Sequence, residues 1–213
     1  MTPKYFTILC YGDSNTWGSI PNLGTRYDRN TRWPMALQQA LGAGFQVVEN
    51  GLRARTSVWE EPYREGRNGL QSIFPILDAC SPVDLVILML GTNDLKNSHN
   101  ISAFESARGI GAIVQKIQKS DFGPDNMAPK VLVVAPPSFG TLSEDMSYYF
   151  DKYVEESKSL PKFYSAMCKV NNCAFFDANS VIATGGDGIH LEAEAHLALA
   201  AALREEVLEI LVR

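Results

Sequence analysis

Short apolar runs rich in β-branched residues alternate along the chain with longer segments whose apolar positions recur at helical spacing. The runs at 6–11, 45–49, 85–90, 130–135 and 174–176 read as nearly continuous apolar stretches, not as polar/apolar alternation. That is the pattern of strands covered on both faces, as in a parallel sheet. Between and after them, segments 33–41, 69–79, 103–119, 148–170 and 192–211 predict helices. The last is the clearest: Leu199, Leu203, Val207, Ile210 and Leu211 repeat on one side, with Arg204, Glu205, Glu206 and Glu209 on the other. Regular strand–helix alternation predicts an α/β protein, a three-layer sandwich with a parallel sheet and right-handed crossovers. Three stretches read as long loops, 19–31, 121–129 and 136–147, and loops of that length in a compact domain are often functional.

The 213 residues suit one domain spanning 1–213, with neither linker, repeat nor low-complexity tract. A net charge of −5 without any lysine/arginine run argues against a nucleic-acid partner. The apolar runs are too short to span a bilayer, and the N-terminus enters a strand-like run without a signal-peptide pattern. The expectation is therefore a cytoplasmic protein with no membrane partner. Cys10, Cys80, Cys168 and Cys173 form no CxxC pair and have no histidine at ligand spacing, which reads as free thiols, with a Cys168–Cys173 disulfide as the alternative, and no metal site.

Ligands of open α/β sheets bind beyond the carboxyl ends of the strands, and the chemistry-bearing residues gather there. Gly12-Asp13-Ser14-Asn15 follows the first strand, Asn50-Gly51-Leu52 the second and Gly91-Thr92-Asn93-Asp94 the third, while Asp187-Gly188-Ile189-His190 lies before the last helix. Together they hold the parts of an acyl-transfer site. A serine hydroxyl needs an adjacent base, imidazole titrates near neutrality, and a carboxylate can fix the imidazole tautomer. Ser14 is thus the candidate nucleophile, His190 the base and Asp187 its orienting partner, with Asp187 and His190 deliverable by a single turn. The N–H groups of Ser14 and Gly51 and the Asn93 amide are candidate oxyanion donors.

These four blocks, in this order and spanning nearly the whole chain, resemble those of the SGNH (GDSL-type) hydrolases. Longer matches, Tyr11 to Gly18, Glu49 to Thr56, Met89 to Asp94 and Pro129 to Pro137, resemble the arylesterase and acyltransferase branch. The resemblance implies a flavodoxin-like five-stranded sheet of order 2-1-3-4-5. It implies a Ser14–His190–Asp187 triad, an oxyanion hole of Ser14, Gly51 and Asn93, and no cofactor. It also implies a small-molecule ester substrate with a short acyl group such as acetyl, water or an alcohol as acceptor, and a homo-oligomer. Asn15 stands where many relatives carry leucine.

Competing readings accompany these assignments. Ser14 and His190 each read alternatively as a helix cap, and Asp94 as a loop-bracing turn residue. Asp13, Asn15 and Trp17 form the candidate substrate-binding set, Trp17 reading equally as a core aromatic. Arg53 and Arg55 read as loop-bracing ion pairs or as a clamp on an acidic substrate. His99 reads as a loop residue and His196 as a packed helix residue. The Gly185–Gly188 run lacks the spacing of a calcium or phosphate loop. The functional alternatives are a carbohydrate esterase removing acetyl groups from sugars, a thioesterase or lysophospholipase, and a non-catalytic binding module on a hydrolase fold. A wide polar cleft lined by the 19–31 and 136–147 loops favours the sugar substrate; Trp17, Phe139 and Leu142 at the site favour a narrow acyl pocket.

Overall fold

A computed structural model describes residues 5–213. Five parallel strands, β1 (Phe6–Gly12), β2 (Phe45–Gly51), β3 (Leu85–Met89), β4 (Lys130–Ala135) and β5 (Ala174–Asp177), form one sheet in the order β2-β1-β3-β4-β5. This is the expected doubly wound order. The apolar runs are continuous because each strand feeds two cores. Along β3, Val86 and Leu88 enter one and Leu85, Ile87 and Met89 the other. Helices α2 (Trp33–Leu41) and α8 (Ala193–Leu211) cover one face, where Trp33, Leu37, Leu199, Leu203 and Val207 are buried. On the other face lie α3 (Gly69–Cys80), α4 (Ala103–Gln118) and α7 (Leu160–Asn171). A four-residue helix, α1 (Ser14–Trp17), follows directly on β1.

One expected element is corrected. The single helix anticipated at 148–170 is a broken series: α5 (Glu144–Phe150), a 3₁₀ turn at Asp151–Tyr153, α6 (Val154–Ser157) and α7. Pro161 sits in the first turn of α7. Deeper inside a continuous helix its ring would collide with a preceding carbonyl and leave that carbonyl without its donor. Asn97 takes up the interruption: its N–H donates to Tyr149 O at 2.7 Å, its amide donates to Tyr148 O and Asp151, and its Oδ1 accepts from Lys152 N. The expected 136–147 loop is accordingly shorter, because Ser143 caps the N-terminus of α5. Segment 52–68, between β2 and α3, is a long loop that the pattern of apolar residues did not single out.

Buried polar groups hold these loops at the carboxyl edge of the sheet. Asp94 accepts from Ser57 N at 2.7 Å, Ser57 Oγ at 2.6 Å and Ser106 Oγ at 2.7 Å, joining the 52–68 loop to α4 and to the turn after β3. Ser106 Oγ also meets Tyr164 Oη, which donates to Leu90 O. Asp94 is thus the loop brace expected of it.

Burial outweighs those hydrogen bonds and raises the Asp94 carboxyl from 3.8 to about 6. The folded protein therefore holds this proton more tightly than the unfolded chain. Stability from this group is greatest below the unfolded value and falls as pH rises through 4 to 6. Asp94→Asn should remove roughly 3 kcal/mol of that decline. Denaturant unfolding of both proteins at about pH 4 and about pH 7 checks this; an unchanged pH dependence would contradict it. Asp13, also raised to about 6 by burial, accounts for a remaining slope in the same window.

Candidate functional site

The site is assembled from three strand-end turns and one loop from the C-terminal third. After β1, Asp13 caps α1 by accepting the Asn15 N–H at 2.9 Å, which makes Ser14 the first helical residue and not the cap. The helix closes after one turn at Gly18, which is left-handed at φ +89°. Ser14 is thereby fixed at the sheet edge, with its hydroxyl on a cleft wall.

The C-terminal loop brings the other two groups. Asp187 Oδ1 accepts from Ile189 N at 2.9 Å and His190 N at 2.8 Å, so the carboxylate organises its own turn. Its Oδ2 stands 2.6 Å from His190 Nδ1. The opposite nitrogen, Nε2, stands 3.0 Å from Ser14 Oγ. A carboxylate can only accept, so Nδ1 carries the proton and Nε2 is left free to take the one on the serine. Burial acts to raise the Asp187 carboxyl, but hydrogen bonding and charge from His190 and the two backbone N–H groups outweigh it and hold it at about 2. Gly188, at φ +79°, permits the turn: a Cβ there would lie 2.5 Å from Thr141 O. The glycine run therefore serves a tight turn, and among the described residues no cluster of side chains is suited to a metal ion.

Asn15 locks this loop to the nucleophile turn. Its amide donates to Ile189 O at 3.2 Å and its Oδ1 accepts from Leu191 N at 3.2 Å, flanking His190 on both sides. Asn15 and Asp13 are buried and do not line the cleft, so neither occupies the substrate-binding position expected of it. Trp17 is also outside the cleft lining, and it is neither a core residue nor a pocket wall. It is half-buried, with the guanidinium groups of Arg26 and Arg53 over its ring at 5.0 and 4.6 Å.

The expected oxyanion donors divide. Asn93, in a 3₁₀ turn after β3, lines the cleft beside Ser14, and its amide also donates to Arg55 O at 3.2 Å. Gly51 does not line the cleft. It lies against α1, where an added Cβ would be 2.1 Å from Trp17 N. The absent side chain makes room for the nucleophile's helix. The cleft position belongs instead to Ala54, held at φ +65°. Among the described residues nothing accepts its N–H. Sequence offered little sign of Ala54, because alanine carries no left-handed preference and the neighbouring glycine drew the assignment.

Arg55 braces the turn, through carbonyls and an aromatic face instead of ion pairs. It donates to Gly12 O and Asn50 O at 2.9 and 2.7 Å and lies over the Tyr11 ring. Arg53 lines the cleft. His99 is half-buried beside Trp59. His196 is buried, accepts the Trp33 N–H, and is held down to about 4 by burial, so it stays neutral within the core.

The cleft encloses about 670 Å³. Residues 19–24, the 52–68 loop and the start of α5 contribute its walls, with Ile20, Met146, Phe150 and Ile189 among the apolar positions. Phe139 and Leu142 are not part of it; Phe139 is buried against Phe150.

A doubly wound parallel sheet with serine, imidazole and carboxylate in series at its carboxyl edge defines an α/β protein with a hydrolase-type site. The chain belongs to the GDSL-like lipase/acylhydrolase family, whose model matches residues 10–198. It is similar to the inhibitor-bound aryl esterase of M. smegmatis, at 37% identity, a TM-score of 0.93, and coverage of 97% of this chain and 100% of that one. A carbohydrate acetylesterase from Sinorhizobium meliloti is similar at 37% identity and a TM-score of 0.93, covering 96% of this chain and 99% of that one. A carbohydrate acetylesterase family member from the same organism has 34% identity and a TM-score of 0.92, covering 97% and 99%. No curated protein matches the chain.

The Asn15 clamp generates a prediction. Asn15→Ala strands two buried backbone groups, at a cost of about 1–3 kcal/mol each before relaxation. The variant should melt lower and lose kcat on an aryl acetate by more than it gains in KM, because the imidazole is no longer held on the hydroxyl. Melting curves and steady-state kinetics measure both; an unchanged kcat would remove the positioning role.

Proposed function

We propose that the chain, as one hydrolase domain, is a serine esterase acting on short-chain acyl esters of aryl or alkyl alcohols. The observation that carries this is the Asp187–His190–Ser14 series, with contacts of 2.6 and 3.0 Å. Ser14 Oγ attacks the ester carbonyl while His190 Nε2 takes its proton. Charge on the carbonyl oxygen is met by the N–H groups of Ser14 and Ala54 and by the Asn93 amide, in place of the Gly51 N–H first expected. His190 then returns the proton to the departing alcohol, leaving an acyl-enzyme. Water, or a second alcohol, attacks the acyl carbon with His190 again as base, and the serine is released. Asp187 stabilises the imidazolium through both steps without itself being protonated. Each oxyanion donor contributes about 3–4 kcal/mol in sites of this kind.

A carbohydrate acetylesterase is the second reading. It is favoured by the size of the cleft, by its Ser19, Asn22, Glu61 and Ser143 lining, and by the absence of Trp17, Phe139 and Leu142 from it. Comparing kcat/KM for acetylated sugars, phenyl acetate and longer aryl esters separates the two. The primary reading expects phenyl acetate to lead and activity to fall with acyl length; a lead for acetylated sugars would replace it.

Exposed apolar residues at the cleft mouth, Leu23 (68% exposed), Tyr63 (90%) and Tyr149 (54%), support a homo-oligomer whose neighbouring copies narrow the site. Four free thiols support the cytoplasm as its compartment. No helix among the described residues is long and apolar enough to cross a membrane.

Ser14→Ala should fold normally, lose nearly all hydrolysis of phenyl acetate and resist labelling by a fluorophosphonate probe that labels the wild type. An active, folded Ser14→Ala protein would falsify the mechanism. Asp187→Asn should remain folded and lose roughly 10⁴-fold in kcat, the scale seen when a triad carboxylate no longer fixes the tautomer.

A further inference from the structure

Two guanidinium groups line the cleft without a carboxylate to neutralise them. Other cations near the site are committed. Arg26 and Arg32 both pair with Glu49, at 2.8 and 2.6 Å, and Lys96 is held by Glu61 on the cleft wall. Among the described residues, neither Arg53 nor Arg64 has a carboxylate within ion-pair distance. Both line the space into which Ser14 and His190 open.

Arg53 is held in place. Its guanidinium lies 4.6 Å from the centre of the Trp17 ring, and Nη1 donates to Gly24 O at 3.3 Å. That single bond leaves most of its N–H donors without a partner in the protein. Stacking on an aromatic face restricts the side chain without neutralising it, so an incoming anion meets a cation already positioned. Arg53 also immediately precedes Ala54, which lines the cleft. Three carboxylates share this space. Glu61 is tied to Lys96 and Asp187 to His190, and Asp145 lies in the first turn of α5, where the helix terminus favours a negative charge. Three cations and three carboxylates line the cleft, so its formal charge balances, but Arg53 and Arg64 are the cations there that no carboxylate engages.

We propose that Arg53, with Arg64 as a second cation at the rim, selects esters that carry a carboxylate or similar oxyanion within a few atoms of the ester carbonyl. The inference rests on the esterase reading and narrows its substrate class. A planar guanidinium pairs with a carboxylate through two parallel N–H bonds, which gives direction as well as attraction. The anion can belong to the alcohol or to the acyl part, and both present the same chemistry to the guanidinium.

The test compares matched ester pairs at low ionic strength near neutral pH. One pair places the charge on the alcohol side: meta-acetoxybenzoate against meta-acetoxybenzamide. The other places it on the acyl side: the phenyl monoester of succinic acid against that of succinamic acid. The wild type should show a kcat/KM preference of about fivefold or more for the anionic member of at least one pair, and that pair identifies the side. Salt at about 0.5 M should reduce the preference. Arg53→Gln should collapse it, Arg53→Lys should retain part, and Arg53→Glu should invert it. Using the ratio within a pair separates charge selection from any general loss caused by unstacking Trp17. Equal rates for both members of both pairs, with phenyl acetate still hydrolysed, would overturn this inference and leave the esterase reading standing. So would a preference that survives an Arg53→Gln/Arg64→Gln double variant. Failure to turn over any ester, phenyl acetate included, would remove both.

Discussion

Everything chemical in this molecule depends on one imidazole being held between a carboxylate and a hydroxyl that are far apart in sequence. His190 and Ser14 are separated by 176 positions yet stand 3.0 Å apart. Such a contact is too weak to organise the loops that carry it; a neutral hydrogen bond contributes about 1 kcal/mol net. The organising work falls to its surroundings. Asp187 gathers the N–H groups of its own turn, Gly188 lets that turn pass against Thr141, and Asn15 grips the backbone on either side of the histidine. The triad is therefore a consequence of a buried polar clamp, and its precision is inherited from α1.

The sheet explains why that clamp sits where it does. Strands buried on both faces present few polar side chains along their length, so polar groups concentrate where the strands end. At the carboxyl edge the backbone groups of several turns must be satisfied together. Arg55 and Asp94 do this from opposite sides, one donating to carbonyls of the first two strand ends and the other accepting from the 52–68 loop and α4. A buried carboxylate raised to about 6 and a buried guanidinium are costly, and their cost is met by the hydrogen bonds each makes to neighbouring turns.

The fold was legible because a continuous apolar strand leaves few alternatives to a parallel sheet, and because glycine-containing turns mark where the first three strands end. The triad was legible because its members carry unusual chemistry, and only one of the three histidines follows an aspartate at turn spacing. What escaped the sequence was anything expressed through backbone geometry. Gly51 looked like a donor because glycine permits close approach. The approach it permits is that of α1, and the residue lining the cleft is Ala54, in a left-handed conformation that its side chain does not announce. Asn15 looked like a substrate contact because it neighbours the nucleophile, but the helix turn between them points it toward the histidine loop. The break at Pro161 was visible in principle, and helical periodicity on both sides concealed it.

The 52–68 loop connects these features. Polar and irregular, it offered no periodic pattern, and it nevertheless supplies the left-handed N–H, the brace of the second strand end and a stacked guanidinium within three consecutive residues. Ala54 lines the cleft in a strained left-handed conformation, and Arg55, the next residue, anchors in the β1 and β2 termini. Arg53 is then carried to the cleft by the same backbone path, with Trp17 as its rest. In the proposed mechanism an oxyanion donor and the charge presented to the substrate are therefore neighbouring positions on one loop. A change in substrate charge can consequently arise at residue 53 without altering the sheet or the histidine loop, which make no hydrogen bond or ion pair with that side chain.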